Sequence, residues 1–454
     1  MKTIKIIQTI LITILAAMII SGCNVSELSS DEDNDSGYSD SDNSDYDYSG
    51  YDYSEDEYYE DDYDYYTGDC WPYDTNDYSE YNSGGDSSSG SSTGDSNNSN
   101  NNNYTSPVGS TDGLTFSGTL LVNDTVFEEN SVAHTSSALI SDNLVVIAYA
   151  DTVNKKGNFI LINSQGQMIG TARTFSHQEV FSTSVVKLDA NRILIAYGTQ
   201  QGKAVIINPH TGELISAGIF ANSEAMRIKA KKMSNGNTLI AYLDKNNYYK
   251  STYVICDNNG NVVNSPVVLS IGNAYNLEKY TNIDTAILAN GNALIIYTDY
   301  ESYSNKVYTA LLNSAGILME KKLVEQMNSG LLAIVAMSDG GAVLNYKNMT
   351  SDKPKFAYYK TDNTLDGPYE HWLTYGSSDK YQGYALTHLP NDFILYCTEF
   401  MAYIMDKLGK QTTKFAKFTS PGTEYITAVT FSDGNVLVAF NNSFSNNGKY
   451  VVMK

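Results

Sequence analysis

Seven times between Leu139 and Phe440 this chain repeats one phrase. A polar turn, often Asn-Gly-Asn or Asp-Gly, leads into a short apolar run that closes on an aromatic residue or its equivalent. The closing positions are Tyr149, Tyr197, Tyr242, Tyr297, Tyr346, Cys397 and Phe440, spaced by 48, 45, 55, 49, 51 and 43 residues. A repeat of this period is one supersecondary unit that cannot bury its apolar face alone, so neighbouring copies must stack. About 50 residues is room for four short strands and their turns.

The third copy shows the parse. Residues 226–233 read as a first strand, 234–237 as a tight turn and 238–243 as a second strand. Residues 251–257 read as a third strand and 261–271 as a fourth. Gly and Asn recur at the turns because hairpins need positive φ, which these residues tolerate best. The second strand is apolar on both faces instead of alternating, as expected where it is buried between neighbouring sheets. The reading is an all-β, seven-bladed β-propeller over 114–454. The copies carry neither the Trp-Asp signature of WD40 repeats nor a recurring Gly-Gly doublet of the kelch type.

The ends of the array support a closed ring. The seventh copy stops in its third strand, at Lys454, and lacks a fourth. Residues 118–128, ahead of the first copy, have the form of the fourth strands at 166–175 and 212–220. An N-terminal strand that completes the last blade leaves no sheet open. In this closure the chain resembles the β-propellers, a class that hosts lectins, scaffolds, hydrolases and lyases alike, so the resemblance implies a fold and not a function.

Before the repeats lie two further segments. Lys2 and Lys5 precede an apolar run that ends Ile20-Ser21-Gly22-Cys23, a secretory signal by composition. Its end resembles the lipobox of bacterial lipoproteins, which implies cleavage, diacylation of Cys23 and stable anchoring by two chains. Residues 1–23 are thus read as signal and 24–113 as a linker. The linker holds 24 Asp and Glu with no Lys or Arg, and so carries nearly all of the chain's net charge of −23. Such a composition cannot offset the entropy of ordering, so disorder is expected. Fourteen tyrosines stand among its carboxylates, which leaves both a solvated tether and an adhesive or cation-binding tail open. Residues 31–35 carry three Asp and a Glu but lack the Gly and Glu positions of a calcium loop, so Ca2+ is kept only as an outside expectation. Cys70 in the linker is free to form an intermolecular disulfide after export. Cys256 and Cys397 read as small buried hydrophobes.

No catalytic constellation stands out. His134, His177, His210, His371 and His388 lack ligand spacing, and no GxSxG, P-loop or dinucleotide motif occurs. One strand phrase is distantly similar to sialidase-type propellers, which bind a carboxylate with three arginines. This chain has only Arg173, Arg192 and Arg227, Arg192 lies in a turn on the wrong face, and the Asp-box repeats are missing. No enzymatic activity, no cofactor and no nucleic-acid partner are therefore expected, and the protein is expected to be a monomer.

Binding is expected on the face carrying the longer second-to-third-strand loops and the links between blades, since variable loops on a rigid scaffold carry function. There the candidates are Tyr248, Tyr249, Tyr275, Tyr280, Tyr300, Tyr303, Tyr375, Tyr381 and Tyr384, as rigid amphipathic contacts for a sugar or protein. A polar position also recurs two residues after each closing aromatic: Asp151, Thr199, Asp244, Asp299, Asn348, Glu399 and Asn442. It reads either as loop capping or as a polar ring around a central channel. The function these features imply is a lipid-anchored, surface-exposed module of a bacterial cell envelope that binds a glycan or protein. An assembly scaffold and a carbohydrate-active enzyme of unrecognised type are the alternatives.

Overall fold

Each copy of the repeat folds into one four-stranded antiparallel sheet, and seven such sheets form a ring. The structure, a computed structural model, describes residues 119–454 apart from 273–281, 303, 372–383, 399–400, 413–415 and 420–421. The expectations for the signal, Cys23, the linker and Cys70 lie outside the described residues. Among those described, no helix is long and apolar enough to cross a membrane.

Within each blade the strands are lettered a to d from the channel outward. The a strands are Val132–Ser141, Ser182–Lys187, Ala225–Lys232, Ile283–Ile287, Ser329–Ala336, Ala385–His388 and Thr423–Thr430. Each pairs with its b strand, and consecutive a strands pack side by side around the ring, the seventh against the first. The b strands, such as Leu144–Asp151 and Thr238–Asp244, are buried along both faces, as their unbroken apolar sequence requires.

Ring closure takes the expected form. Leu120–Glu128 pairs antiparallel with Asn447–Met453 and is the d strand of blade seven. The Lys454 N–H donates to Thr119 O at 3.0 Å, so the pairing runs to the last residue. Lys449 and Thr419 both contact Asp124 Oδ2, at 3.2 and 3.1 Å, which ties the closing strand to its own blade and to blade six.

The repeated aromatic explains how blades hold one another. Phe127 on the closing strand meets Tyr149 of blade one edge-on, with centroids 5.1 Å apart. Phe175 meets Tyr197 at 5.2 Å, Phe220 meets Tyr242 at 5.4 Å and Phe418 meets Phe440 at 5.7 Å. Each contact joins the d strand of one blade, or in Phe418 the residue just after it, to the b strand of the next. In three blades a c-strand glycine makes room for the ring. A Cβ on Gly157, Gly202 or Gly448 would stand 2.4, 2.5 or 2.6 Å from Phe175, Phe220 or Phe127.

Two local readings differ from the sequence expectation. The third-blade turn, read as 234–237, is a three-residue loop. Met233 and Asn237 close the third-blade turn, and only Gly236 takes positive φ, at 90°. This is a type I turn with a glycine bulge, which needs one left-handed residue instead of two. In blade three the d strand shrinks to Val267–Val268 plus a bridge from Val262 to Cys256. Asn264 Oδ1 takes the Ile255 N–H at 2.6 Å, and Pro266 has no N–H to give, so side chain and ring replace the ladder there.

Two outcomes follow. A chain starting at residue 114 should melt cooperatively as a monomer, whereas one starting at 130 should expose the outer edge of blade seven and aggregate. Thermal scanning with gel filtration checks this, and equal behaviour would exclude the closing role of Leu120–Glu128. Gly202→Ala should destabilise by about 1–3 kcal/mol through overpacking, where strand Gly→Ala usually stabilises by about 0.5–1 kcal/mol. Denaturant midpoints give the sign.

Candidate functional site

The a strands of all seven blades line one central channel of about 200 Å³. Its lining comes from the middle of the long strands, from the early part of the short ones, and from Asn282 and Tyr384 just ahead of two of them. Those two residues place its mouth on the face where the links between blades and the b–c loops emerge.

Two kinds of a strand alternate around it. Those of blades one, three, five and seven are 10, 8, 8 and 8 residues long, and each has a bulge near its start. Those of blades two, four and six are 6, 5 and 4 residues long and pair in regular register. At each bulge one residue is left-handed: His134, Arg227, Leu331 and Tyr425, with φ of 51–53°. None is glycine, and bulges of this kind re-aim a side chain and cluster beside binding sites. All four line the channel. Blades seven and one are neighbours, so two of these residues meet at the seam. The His134 and Tyr425 rings lie 4.6 Å apart.

The channel-side edge of every sheet carries backbone groups with no strand to pair with. Side chains of the adjacent blade take them. Ser182 Oγ accepts from the Ile228 N–H at 2.8 Å, and Ser184 Oγ from the Ala230 N–H at 2.9 Å. Asp284 Oδ2 accepts from the Ile334 N–H at 3.1 Å. Thr135 donates to Tyr425 O and Thr183 to His134 O. Ser137 and Thr427 pair hydroxyls at 2.7 Å. The wall is polar because it must satisfy these edges.

The charge in the channel is uneven. Arg227, Lys229 and Lys231 stand at alternate positions of one strand, and Asp284 is the one carboxylate among the described lining residues. Lys229 Nζ lies 4.0 Å from Asp284 Oδ1. Lys231 opens onto channel water, yet burial by the surrounding protein lowers its amine below the usual lysine range, with Asp284 opposing and Lys229 adding to the shift. Burial, with the Arg227 charge second, lowers His134 to about 3, so its ring is neutral at physiological pH.

The sequence candidates fall in several places. Of the nine tyrosines, Tyr384 lines the channel and stacks on Tyr396 at 5.6 Å. Tyr248 is exposed and Tyr249 half-buried on the blade-three b–c loop, and both are left-handed, with φ of 55° and 57°. Tyr300 is half-buried at the end of the blade-four b strand. Tyr275, Tyr280, Tyr303, Tyr375 and Tyr381 lie outside the described residues, as does Glu399 of the recurring polar position. The described members of that position stand on or just after b strands, one strand removed from the channel, and none lines it. Asp151 caps Asn154, Asn348 caps Thr350 and Ser351, and Asn442 caps Phe444 and Ser445. Thr199 bonds Gln201 within its loop. Asp244 precedes the short helix Lys245–Asn247 without a side-chain capping bond. Asp299 does something else: its two oxygens take the N–H groups of Ile271 and Gly272 at 2.7 and 2.9 Å, holding the exit of blade three. No group of three or more His, Cys, Asp or Glu among the described residues is placed to hold a metal ion. Cys256 and Cys397 are buried, and burial pushes both thiols up, Cys256 to about 12.

No protein-family model matches the chain, and no curated protein does. The solved structures that resemble it include two of an ulvan lyase from a new family of polysaccharide lyases, the second bound to a GlcA-containing saccharide. The first gives a TM-score of 0.47 at 13% identity, covering 73% of this chain and 96% of that one. The second gives 0.46 at 12% identity with the same coverage. The likeness is of overall chain path only.

Sequence reasoning missed the Arg227–Lys231 ladder. Its signal was the pair Lys229 and Lys231, whose spacing of two puts both on one side of an a strand, while Arg227 joins them through the bulge.

His134 also gives a pH prediction. Its folded value lies below the unfolded one, so between about pH 6.5 and pH 3 the unfolded chain binds the extra proton and stability falls as pH falls. His371, also lowered by burial, acts in the same direction. Denaturant midpoints at about pH 7.5 and pH 5 should drop less in His134→Gln than in the parent. An unchanged drop would mean that His134 protonates freely in the folded protein.

Proposed function

We propose that this protein is a lipid-anchored binding module of a bacterial cell envelope whose propeller takes its ligand at the mouth of the central channel. The observation that carries this reading is the convergence at the mouth of four left-handed bulge residues from four blades, with Tyr384 beside them. Left-handed backbone in a non-glycine residue persists only where its surroundings hold it, and such positions gather at binding and catalytic sites. Aromatic rings, an arginine and a polar wall there give both contact area and hydrogen bonds. The opposite face presents short, uniform turns such as Ser234–Gly236. The anchor is supported by Ile20-Ser21-Gly22-Cys23, and the linker of 24–113 has the charge and composition of a solvated tether.

Full-length protein is extracted in mild detergent, and its co-purifying partner is identified and then titrated. Tyr384→Ala and Tyr425→Ala should each weaken binding by about 2 kcal/mol or more, as truncation of an aromatic anchor does. Asn235→Ala on the opposite face should bind like the parent. Equal binding by all three, at equal melting temperatures, would remove the mouth as the site. Steady consumption of the partner in place of a binding plateau would shift the reading to an enzyme. Labelling of cells with a palmitate analogue should mark the parent and spare Cys23→Ala, and equal labelling of both would remove the lipid anchor.

A further inference from the structure

We propose that the channel is an oxyanion site, so that the module's ligand enters it with a carboxylate or sulfate at its leading end. This rests on the reading of the mouth as the ligand seat and names what that seat selects.

The first support is the arrangement of charge. Arg227, Lys229 and Lys231 form a file along one a strand, running inward from the mouth. The residues between them, Ile228 and Ala230, are buried, and their N–H groups are fixed by Ser182 and Ser184 of blade two. The strand that carries the cations is thus held along its flank by blade two, so the three charges share one support.

The second support is the shortage of counter-charge. Asp284 already receives the Thr285 and Ile334 N–H groups, at 2.8 and 3.1 Å, and has Lys229 alongside. Lys231 has no ion pair among the described residues. Elsewhere on the propeller, lysines near carboxylates are paired, as Lys355 is with Glu325 at 2.6 Å and Lys245 with Glu224 at 2.9 Å. Among the described lining residues Lys229 and Lys231 thus face a single carboxylate, and that carboxylate is already engaged. A narrow channel with low-dielectric walls strengthens the field of a lysine held there.

The third support is size. Binding pockets for whole small ligands hold about 300–1,000 Å³, and this channel holds about 200 Å³. It admits a head group or one sugar ring and leaves the rest of a longer ligand at the mouth, against Tyr384 and Tyr425. Serine and threonine hydroxyls on the wall supply further donors to an oxyanion. Arginine adds a planar fork suited to carboxylate and sulfate oxygens.

The test uses the full-length protein in mild detergent and three probes: D-galacturonate, D-galactose and inorganic sulfate, titrated calorimetrically at low salt. The two sugars differ in one carboxylate. Galacturonate should bind at least about tenfold tighter than galactose, the worth of a charged hydrogen bond. Sulfate should displace it, and salt should weaken it by screening. Lys231→Gln should remove most of that preference. Lys231→Gln should also keep the parent's melting temperature, since it breaks no ion pair. Sulfate binding without a preference for galacturonate would support the oxyanion site and assign it to a free anion, not an acidic sugar. Equal affinity for both sugars with no sulfate binding would overturn the inference and leave the module standing. So would failure of all three probes while the co-purified partner still depends on Tyr384. If the partner is also indifferent to Tyr384 and Tyr425, both readings fall together.

Discussion

The contact of Phe127 with Tyr149 shuts the ring, and every other blade depends on its being shut. A propeller blade buries its b strand only because a neighbour lies on each side. Six of the seven interfaces follow directly from chain order. The seventh, between blade seven and blade one, requires a strand from the N-terminus to reach the far end of the sequence. Phe127 then occupies the place of Phe175 and Phe220, with Gly448 clearing space as Gly157 and Gly202 do. Loss of a buried phenylalanine side chain costs about 3–5 kcal/mol at any one interface. At the seam it also frees an edge, because the same strand supplies the aromatic clasp and the outer ladder.

Closure has a consequence at the centre. Seven a strands face a channel too narrow for another sheet and too wide for them to pair with one another. Their inward backbone groups need partners, and the hydroxyls of Ser182, Ser184, Thr135 and Thr183 and the carboxylate of Asp284 provide them. The polar lining is therefore first a structural necessity. The bulges are not explained that way. The a strands of blades two, four and six pair with their b strands without them. Four left-handed residues that line the channel are an additional cost in backbone strain, and that excess is the ground for proposing the mouth as a site.

Much of this architecture could be read in the sequence. The period set the blade, and the terminal phrase with its missing d strand located the closing segment to within two residues of Leu120. Alternation and turn chemistry carry that information because they depend on neighbours in the chain. The site was less legible. The bulges depend on register between a and b strands, which composition does not encode. The bulged strands are longer, at 8–10 residues against 4–6, but length alone does not say where the extra residue falls. The recurring polar position after the b strand was visible, yet its geometry at Asp151, Asn348 and Asn442 is that of loop capping. Repetition there reflects a repeated turn, and a side chain one strand out from the channel cannot line it.

The cations make the complementary point. Function on a repeat scaffold shows where the copies stop being alike. Among the described lining residues six blades place apolar or hydroxyl side chains along the channel, with Asn282, Asp284 and a neutral His134 the exceptions, and blade three alone places Arg227, Lys229 and Lys231 there. A fold needs no such file, because burial lowers the Lys231 amine and the like charge of Lys229 works against it too. In the proposed oxyanion site, charges gathered on a strand pinned by Ser182 and Ser184 gain a physical purpose when an anion enters beside them. The asymmetry of a single blade, set within sevenfold regularity, is what that proposal turns on.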